Sequence, residues 1–248
     1  MPKKPLKSKS QSGKSFKLSI LMPAYNEEDS IAKIIAKIDK VDLGKYNVTK
    51  ELIIVDDGSK DRTVEIVRGL KKKYPYIRFI RHKKNRGKGG AIKTAIRYAS
   101  GDILIVQDAD LEYDPEDYPA CILPIMKGKA KVVYGSRFLV KKQNIRYRLN
   151  WLATKLLNYM VLFLYFQHIT DEPTCYKTFD AKLIKSIRIN GNRFEWEPEV
   201  TAKLCKMGHR IHEVPIKYYP RSVEEGKKIN WKDGVEAVWT LIKYRFVG

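Results

Sequence analysis

Cysteine is scarce in this 248-residue chain, where Cys121, Cys175 and Cys205 stand far apart without the paired spacing of a disulfide framework or a zinc site. Histidine is nearly as thin: His82, His168, His209 and His212 form no metal-ligand spacing. No apolar run reaches the ~18–20 residues of a membrane span. The N-terminal stretch MPKKPLKSKSQSGKSFK lacks the apolar core of a secretory signal. These shortages argue against a secreted disulfide scaffold, a zinc module and a membrane-spanning protein, and the expectation is a soluble, intracellular fold. Acids are also the minority, 28 Asp and Glu against 49 Lys and Arg, for a net charge of +21. Such a field either attracts nucleic acid, anionic lipid headgroups or phosphorylated small molecules, or simply keeps the protein soluble.

Hydrophobic residues make up 44% and charged residues 31%, the balance of an ordinary globular chain long enough to bury a substantial core. Residues 1–16, rich in Lys and Ser, form an expected flexible basic leader, and 17–248 a single domain. Leu18–Met22 is a short apolar run stopped by Pro23, as a doubly buried strand requires. Asn26 is placed to cap a helix in which Ile31, Ile34, Ile35 and Ile38 recur at helical spacing. Leu52–Val55, Ile77–Ile80 and Ile103–Val106 read as further strands, separated by a helix over Val64–Leu70 and by a Gly-rich loop, Asn85–Gly90, that opens a helix through Ala99. Alternating strands and helices predict a mostly parallel α/β sheet flanked by helices, with ligands beyond the carboxyl ends of the strands. Three polar clusters fall there: Pro23–Glu28, Asp56–Ser59 and Asp108–Glu112.

The second half, from about residue 131, has a strand at Val132–Tyr134, then a basic stretch (Lys141, Lys142, Arg146, Arg148) and an apolar helix over Trp151–Phe166. Asn150, Thr154 and Asn158 draw one polar stripe along that helix. The segment about 149–166 is too short to span a bilayer, and two placements stay open: a membrane interface, or the core against the sheet. Cys175–Phe179, Ile211–Val214 and Ile216–Tyr219 read as strands, and Pro198–Met207 and Trp231–Tyr244 as helices.

The chemistry concentrates in Asp108-Ala109-Asp110. Two carboxylates on alternate residues at a strand tip suit one Mg²⁺ or Mn²⁺, and Glu112 stands ready to complete the oxygen shell. The segments ILMPAYNE (20–27), IVDDGS (54–59), NRGKGGAI (85–92), DADLE (108–112) and GSR (135–137) occur in one order that resembles the inverting family 2 glycosyltransferases of GT-A fold. The closer likeness is to dolichyl-phosphate (polyprenyl-phosphate) mannosyl- and glucosyltransferases, with NRGKGGAI and DEPTCYKTF (171–179) nearer the glucosyl branch.

That resemblance implies a Rossmann-like GT-A fold, with a nucleotide-binding half over about 17–130 and an acceptor half with amphipathic interface helices over about 131–248. It implies that Pro23, Tyr25 and Glu27 line the base and ribose of a nucleotide-sugar donor, and that Val55 and Asp57 hold the base. Asp108, Ala109, Asp110 and Glu112 then form the metal and diphosphate segment, with Lys88 near the donor. Arg137 and Arg148 receive the phosphate of a polyprenyl-phosphate acceptor, Arg221 and Lys227 close over the donor diphosphate, and Asp171 positions the acceptor or sugar. A phosphate acceptor has a second pKa near ~6, so it is already ionised at neutral pH and needs cations to aim it more than a base to activate it. The implied protein is a peripheral enzyme on the cytoplasmic face of a membrane, with Mg²⁺ or Mn²⁺ as cofactor and no nucleic acid partner. A hydroxyl acceptor, which would call for a base, and a nucleic-acid-binding role for the basic surface are the competing readings. Relatives that continue into membrane spans leave open a missing C-terminal membrane region.

Overall fold

The computed structural model describes residues 14–140, 148–220 and 231–247. The leader through residue 13, the basic residues Lys141, Lys142 and Arg146, and both Arg221 and Lys227 lie outside the described residues, as does the side chain of Arg148.

Seven strands form one sheet in the order β3-β2-β1-β4-β6-β5-β7. β1 (Phe16–Ala24) begins at the last residue assigned to the leader, because Phe16 pairs in register with Val48 of β2 (Val48–Asp56). β1 lies parallel to β2 and to β4 (Ile103–Val106), and β2 is parallel to β3 (Ile77–Arg81). Leu18, Ile20, Leu21, Met22 and all of Leu52–Val55 are fully buried, as strands covered on both faces must be. The helices that cover them are α1 (Ile31–Lys40), α2 (Thr63–Lys73) and α3 (Lys88–Tyr98). α1 turns Ile31, Ile34, Ile35 and Ile38 inward, the face its spacing predicts.

Asn26 does not cap α1. It takes a left-handed conformation (φ 51°), and its Oδ1 accepts from the Lys60 amide at 2.9 Å, stapling the loop after β1 to the loop after β2. Ser30 precedes α1 instead, with its hydroxyl donating to Glu27 Oε2.

Sequence periodicity passes over α4 (Tyr118–Met126) and α6 (Ala181–Ser186). α4 carries Pro119 at its start, where no amide hydrogen is needed, and Pro124 within it, so its pattern resembles a loop. β5 (Val132–Ser136) and β7 (Ile211–Pro215) are parallel. β6 (Lys177–Asp180) runs antiparallel between β4 and β5 and joins the two halves of the chain into one sheet. Ile216–Tyr219 is not a strand: beyond β7 only Tyr218 forms a bridge, with Tyr113.

α5 (Arg148–Tyr165), α7 (Trp196–Lys206) and α8 (Trp231–Phe246) close the second half. α5 packs on α8, and the buried Tyr165 hydroxyl donates to the Leu241 carbonyl at 2.6 Å. The described polar stripe on α5 faces inward. Thr154 and Asn158 are buried, and Asn158 donates to the Thr170 carbonyl at 2.6 Å while accepting from the Glu172 amide at 2.9 Å. The core placement therefore holds for one face of this helix. Leu157 and Val161 enter the core, whereas Leu152, Leu156, Tyr159 and Phe163, the last 72% exposed, lie on an outward face.

Candidate active site

Parallel register sets the tips of β1, β2 and β4 side by side. Ala24 pairs with Asp56, the Asp57 amide donates to the Ala24 carbonyl at 2.8 Å, and the Gln107 amide donates to that of Leu21 at 2.9 Å. Beyond these tips lies a cleft of about 1400 Å³. It brings together Pro23, Tyr25, Glu27, Asp57, Lys88, Asp108, Ala109, Asp110, Glu112 and Arg137, residues drawn from positions more than 100 apart. Val55 is not among them; it is fully buried in the sheet, one residue short of the tip.

Asp57 serves the loop before it serves any ligand. Its Oδ2 accepts from the Gly87 amide at 2.7 Å and its Oδ1 from Arg86 at 2.9 Å, while His82 Nδ1 lies 2.7 Å from Oδ1. The glycine-rich segment is gripped from the other side by the loop before α7. The Gly89 amide donates to the Arg193 carbonyl at 3.1 Å and the Gly90 amide to that of Asn192 at 2.8 Å. A Cβ at Gly89 would stand 2.8 Å from the Gly191 oxygen, so glycine here permits close backbone approach. These amides are committed to protein oxygens, and the segment is a packed platform, not a phosphate cradle.

What the platform presents is the Lys88 side chain. Its Nζ sits 2.9 Å from Asp108 Oδ2 and 3.0 Å from Glu197 Oε1, with all three side chains at most 22% exposed. Burial opposes the ammonium charge, but the flanking Asp108 and Glu197 carboxylates prevail and hold Lys88 protonated well above its ordinary range. Glu197 is one of two carboxylates in the first turn of α7. The other, Glu199, is a fully buried clamp that accepts from the Asn190 and Gly191 amides and pairs with Lys203.

Across the cleft, Arg137 follows β5 and is locked by Asp171. Asp171 Oδ2 accepts from Arg137 Nε and from the Arg137 amide, each at 2.8 Å, and Oδ1 accepts from Nη2 at 2.7 Å. Asp171 itself is fully buried and does not line the cleft, so it acts through Arg137. Burial works against the guanidinium, yet the adjacent Asp171 carboxylate carries its pKa well above the usual value. The Arg137 guanidinium lies 4.9 Å from the Tyr218 ring centroid, and the Tyr218 hydroxyl donates to Glu112 Oε2 at 3.2 Å. Behind Asp171, Glu213 accepts from the Thr170 and Asp171 amides and fixes the turn that carries the pair; burial raises its pKa.

Among the described residues no three His, Cys, Asp or Glu side chains converge to hold a metal unaided. The expected shell of Asp108, Asp110 and Glu112 is therefore not assembled as a trio, Glu112 being engaged by Tyr218. Asp108 and Asp110 both line the cleft, and two carboxylates completed by diphosphate oxygens and water fit the habits of Mg²⁺ and Mn²⁺.

Tyr113, Tyr218 and the loop residues Asn192–Phe194 also line the cleft and carried no motif to announce them, and Glu172 joins them from within the DEPTCYKTF segment, where it had no role assigned. Glu172 is fully buried. Burial raises its pKa, and its Oε2 has no hydrogen-bond partner, whereas Oε1 accepts from Thr201 at 3.0 Å. From α5 and α8 come Leu156 and Val235, each exposed at the mouth.

The mostly parallel sheet, with acidic strand tips facing an arginine across one cleft, is the arrangement that the resemblance to GT-A glycosyltransferases implies. The chain belongs to glycosyl transferase family 2, whose family model matches residues 19–188. It is 37% identical over 124 residues to a dolichol-phosphate mannosyltransferase of Pyrococcus furiosus, covering 50% of this chain and 34% of that protein. It is 28% identical over 239 residues to dolichyl-phosphate beta-glucosyltransferase ALG5A of Trichomonas vaginalis, covering 92% of this chain and 73% of that one. The aligned region thus spans about a third of the Pyrococcus protein and about three quarters of the Trichomonas one. In fold it is similar to glucosyl-3-phosphoglycerate synthase of Mycobacterium tuberculosis, solved with Mn²⁺, UDP and phosphoglyceric acid (TM-score 0.71, 19% identity, 94% of this chain and 80% of that one).

Proposed function

We propose that this glycosyltransferase moves one hexose from a nucleotide diphosphate sugar to a polyprenyl phosphate, with inversion, at the cytoplasmic surface of a membrane. The observation that carries the reading is the pairing of two recognition poles in one cleft: Asp108 and Asp110 at the tip of β4, and the Asp171-locked Arg137 after β5. Asp108 and Asp110 would hold a Mg²⁺ or Mn²⁺, which supplies charge neutralisation for a departing diphosphate. Arg137 presents a fork oriented by Asp171, and such a fork suits a phosphate anion. Because both Asp171 oxygens accept from Arg137, Asp171 is a positioning residue and not a base. That favours an acceptor ionised in advance over a hydroxyl acceptor.

Relatives named for dolichyl-phosphate acceptors support a lipid substrate. So does the apolar flank: Leu156 and Val235 at the cleft mouth continue into exposed Tyr159 and Phe163 on α5 and Trp239 on α8. No helix among the described residues is long and apolar enough to cross a membrane, and these faces fit the interface helices of a peripheral enzyme. The glucosyl-like segments favour UDP-glucose over GDP-mannose. Arg148, Arg221 and Lys227 keep their proposed roles on resemblance.

The test is transfer of labelled hexose from UDP-glucose and GDP-mannose to dolichyl and undecaprenyl phosphate, with Mg²⁺ or Mn²⁺. We expect labelled lipid from one donor, abolished by Asp110→Ala with unchanged circular dichroism. No transfer to any polyprenyl phosphate, or full turnover by Asp110→Ala, refutes the proposal.

A further inference from the structure

Lys88 holds a carboxylate that an added cation would use. Its ammonium is bonded to Asp108, one of the two carboxylates that fit a divalent ion, and a second carboxylate, Glu197, holds it there. The backbone on which it stands is clamped on both sides, by Asp57 through the Arg86 and Gly87 amides and by the 192–193 carbonyls through Gly89 and Gly90, so the flexible side chain is the part that can move. A fixed positive charge on Asp108 both occupies an oxygen the metal needs and repels a second cation at close range.

We infer that Lys88 is an exchangeable counter-ion that guards Asp108 in the donor-free enzyme and surrenders it when the donor's diphosphate arrives. The inference rests on the transferase reading above and adds to it an order of events. Without donor, Asp108 is satisfied by Lys88, and a divalent cation binds weakly. A nucleotide diphosphate brings new anionic oxygens into the cleft, and the ammonium, a compact charge on a flexible stem, exchanges Asp108 for the diphosphate while keeping its bond to Glu197. Metal and nucleotide then bind with positive coupling, because each removes an obstacle to the other. Lys93 on the same helix is the internal comparison. It carries the same charge but bonds to the Asn190 carbonyl and to Asn192, away from Asp108.

The experiment counts free Mn²⁺ by electron paramagnetic resonance during titration of the full chain, first alone and then with UDP. Lys88→Met is expected to tighten donor-free Mn²⁺ binding by about tenfold or more and to lose most of the further tightening that UDP gives the wild type. Lys88→Arg, which keeps the charge, and Lys93→Gln, which removes a charge elsewhere, are expected to stay near the wild type. Equal tightening by Lys93→Gln means a general field effect and overturns the inference. So does an unchanged affinity in Lys88→Met; if UDP still promotes Mn²⁺ binding there, the transferase reading stands while the exchange does not. If no variant binds Mn²⁺ with any nucleotide diphosphate, both fall. Should Lys88→Met not fold, Glu197→Gln carries the test with the opposite sign. Lys88 is then left to Asp108 alone, so donor-free Mn²⁺ binding weakens, and unchanged or tighter binding overturns the inference.

Discussion

Replacing Asp171 by asparagine removes one charge and one acceptor while keeping the shape of the side chain. In the folded protein, Asp171 is fully buried and accepts three hydrogen bonds from Arg137, at 2.8, 2.8 and 2.7 Å. An amide oxygen retains part of that set, but the amide nitrogen then faces a guanidinium that is itself a donor, and Arg137 is left inside without its counter-charge. Breaking a buried pair from one side costs about 3–5 kcal/mol, and the surviving acceptor lowers the expected loss to about 2–3 kcal/mol. For a chain of this length that is a fall of about 5–10 °C in Tm, readable by differential scanning calorimetry. The kinetic signature is more specific. A guanidinium released from its fork geometry no longer aims the acceptor, so KM for polyprenyl phosphate rises and kcat falls by about tenfold to a hundredfold, while donor KM changes little. Arg137→Lys is expected to reproduce the acceptor defect, since it keeps the charge and loses the fork. A Tm within about 1 °C of wild type together with an unchanged acceptor KM would refute the claim that Asp171 positions Arg137.

Glu51 offers a pH test at the far end of the sheet. Burial alone would raise its pKa, but hydrogen bonds from Ser19, the Ser100 amide and Lys17 outweigh it and bring the value from 4.5 to about 2. A lowered carboxylate contributes stability that is complete above about pH 4.5 and is lost as pH falls towards 2, at most about 3 kcal/mol and roughly 1–2 after solvent screening. In Glu51→Gln the urea stability profile between those pH values should flatten, and an unaltered slope would sink the assignment. Gly89→Ala should cost about 1–3 kcal/mol, because its Cβ meets the Gly191 and Arg193 oxygens at 2.8 and 2.9 Å. By contrast Gly69→Ala, open on all sides in α2, should gain up to about 1 kcal/mol, and thermal melts that fail to separate the pair would deny the packed platform. Tyr159→Ser combined with Phe163→Ser is expected to reduce co-sedimentation with anionic vesicles while leaving Tm unchanged, since both side chains are exposed; equal sedimentation would remove α5 from the interface.

The strands that build the cleft were legible because each is a short apolar run bounded by polar turns. Leu52–Val55 and Ile103–Val106 fall inside or on the observed strands, and the carboxylates at their ends follow from the rule that parallel sheets bind ligands at the strand tips. Elements held by tertiary contact were harder to read. α4 carries two prolines, α6 has six residues, and the antiparallel course of β6 depends on pairing with β4 and β5 far along the chain. The polar stripe on α5 was visible, but not its direction, because Asn158 turns inward to satisfy a loop and not outward to water. The 192–194 loop reaches the cleft only through folding, with no local pattern to mark it, and Glu172, although inside DEPTCYKTF, had nothing to distinguish it from its neighbours there. Lys88 was expected near the donor, yet its meeting with Glu197 across 109 positions is a property of the packed molecule.

The position of β6 has a consequence for synthesis. One side of β4 is sealed only when Lys177–Asp180 has been made, some seventy residues after Val106. At ribosomal speeds of about 5–20 residues per second, that apolar strand edge waits roughly 4–15 seconds for its neighbour. A nascent chain caught in this interval exposes an unpaired ladder of amides and carbonyls, a template for sticking to other chains. Holdase chaperones should therefore meet this protein on the ribosome, and their demand should end once residue 180 clears the exit tunnel.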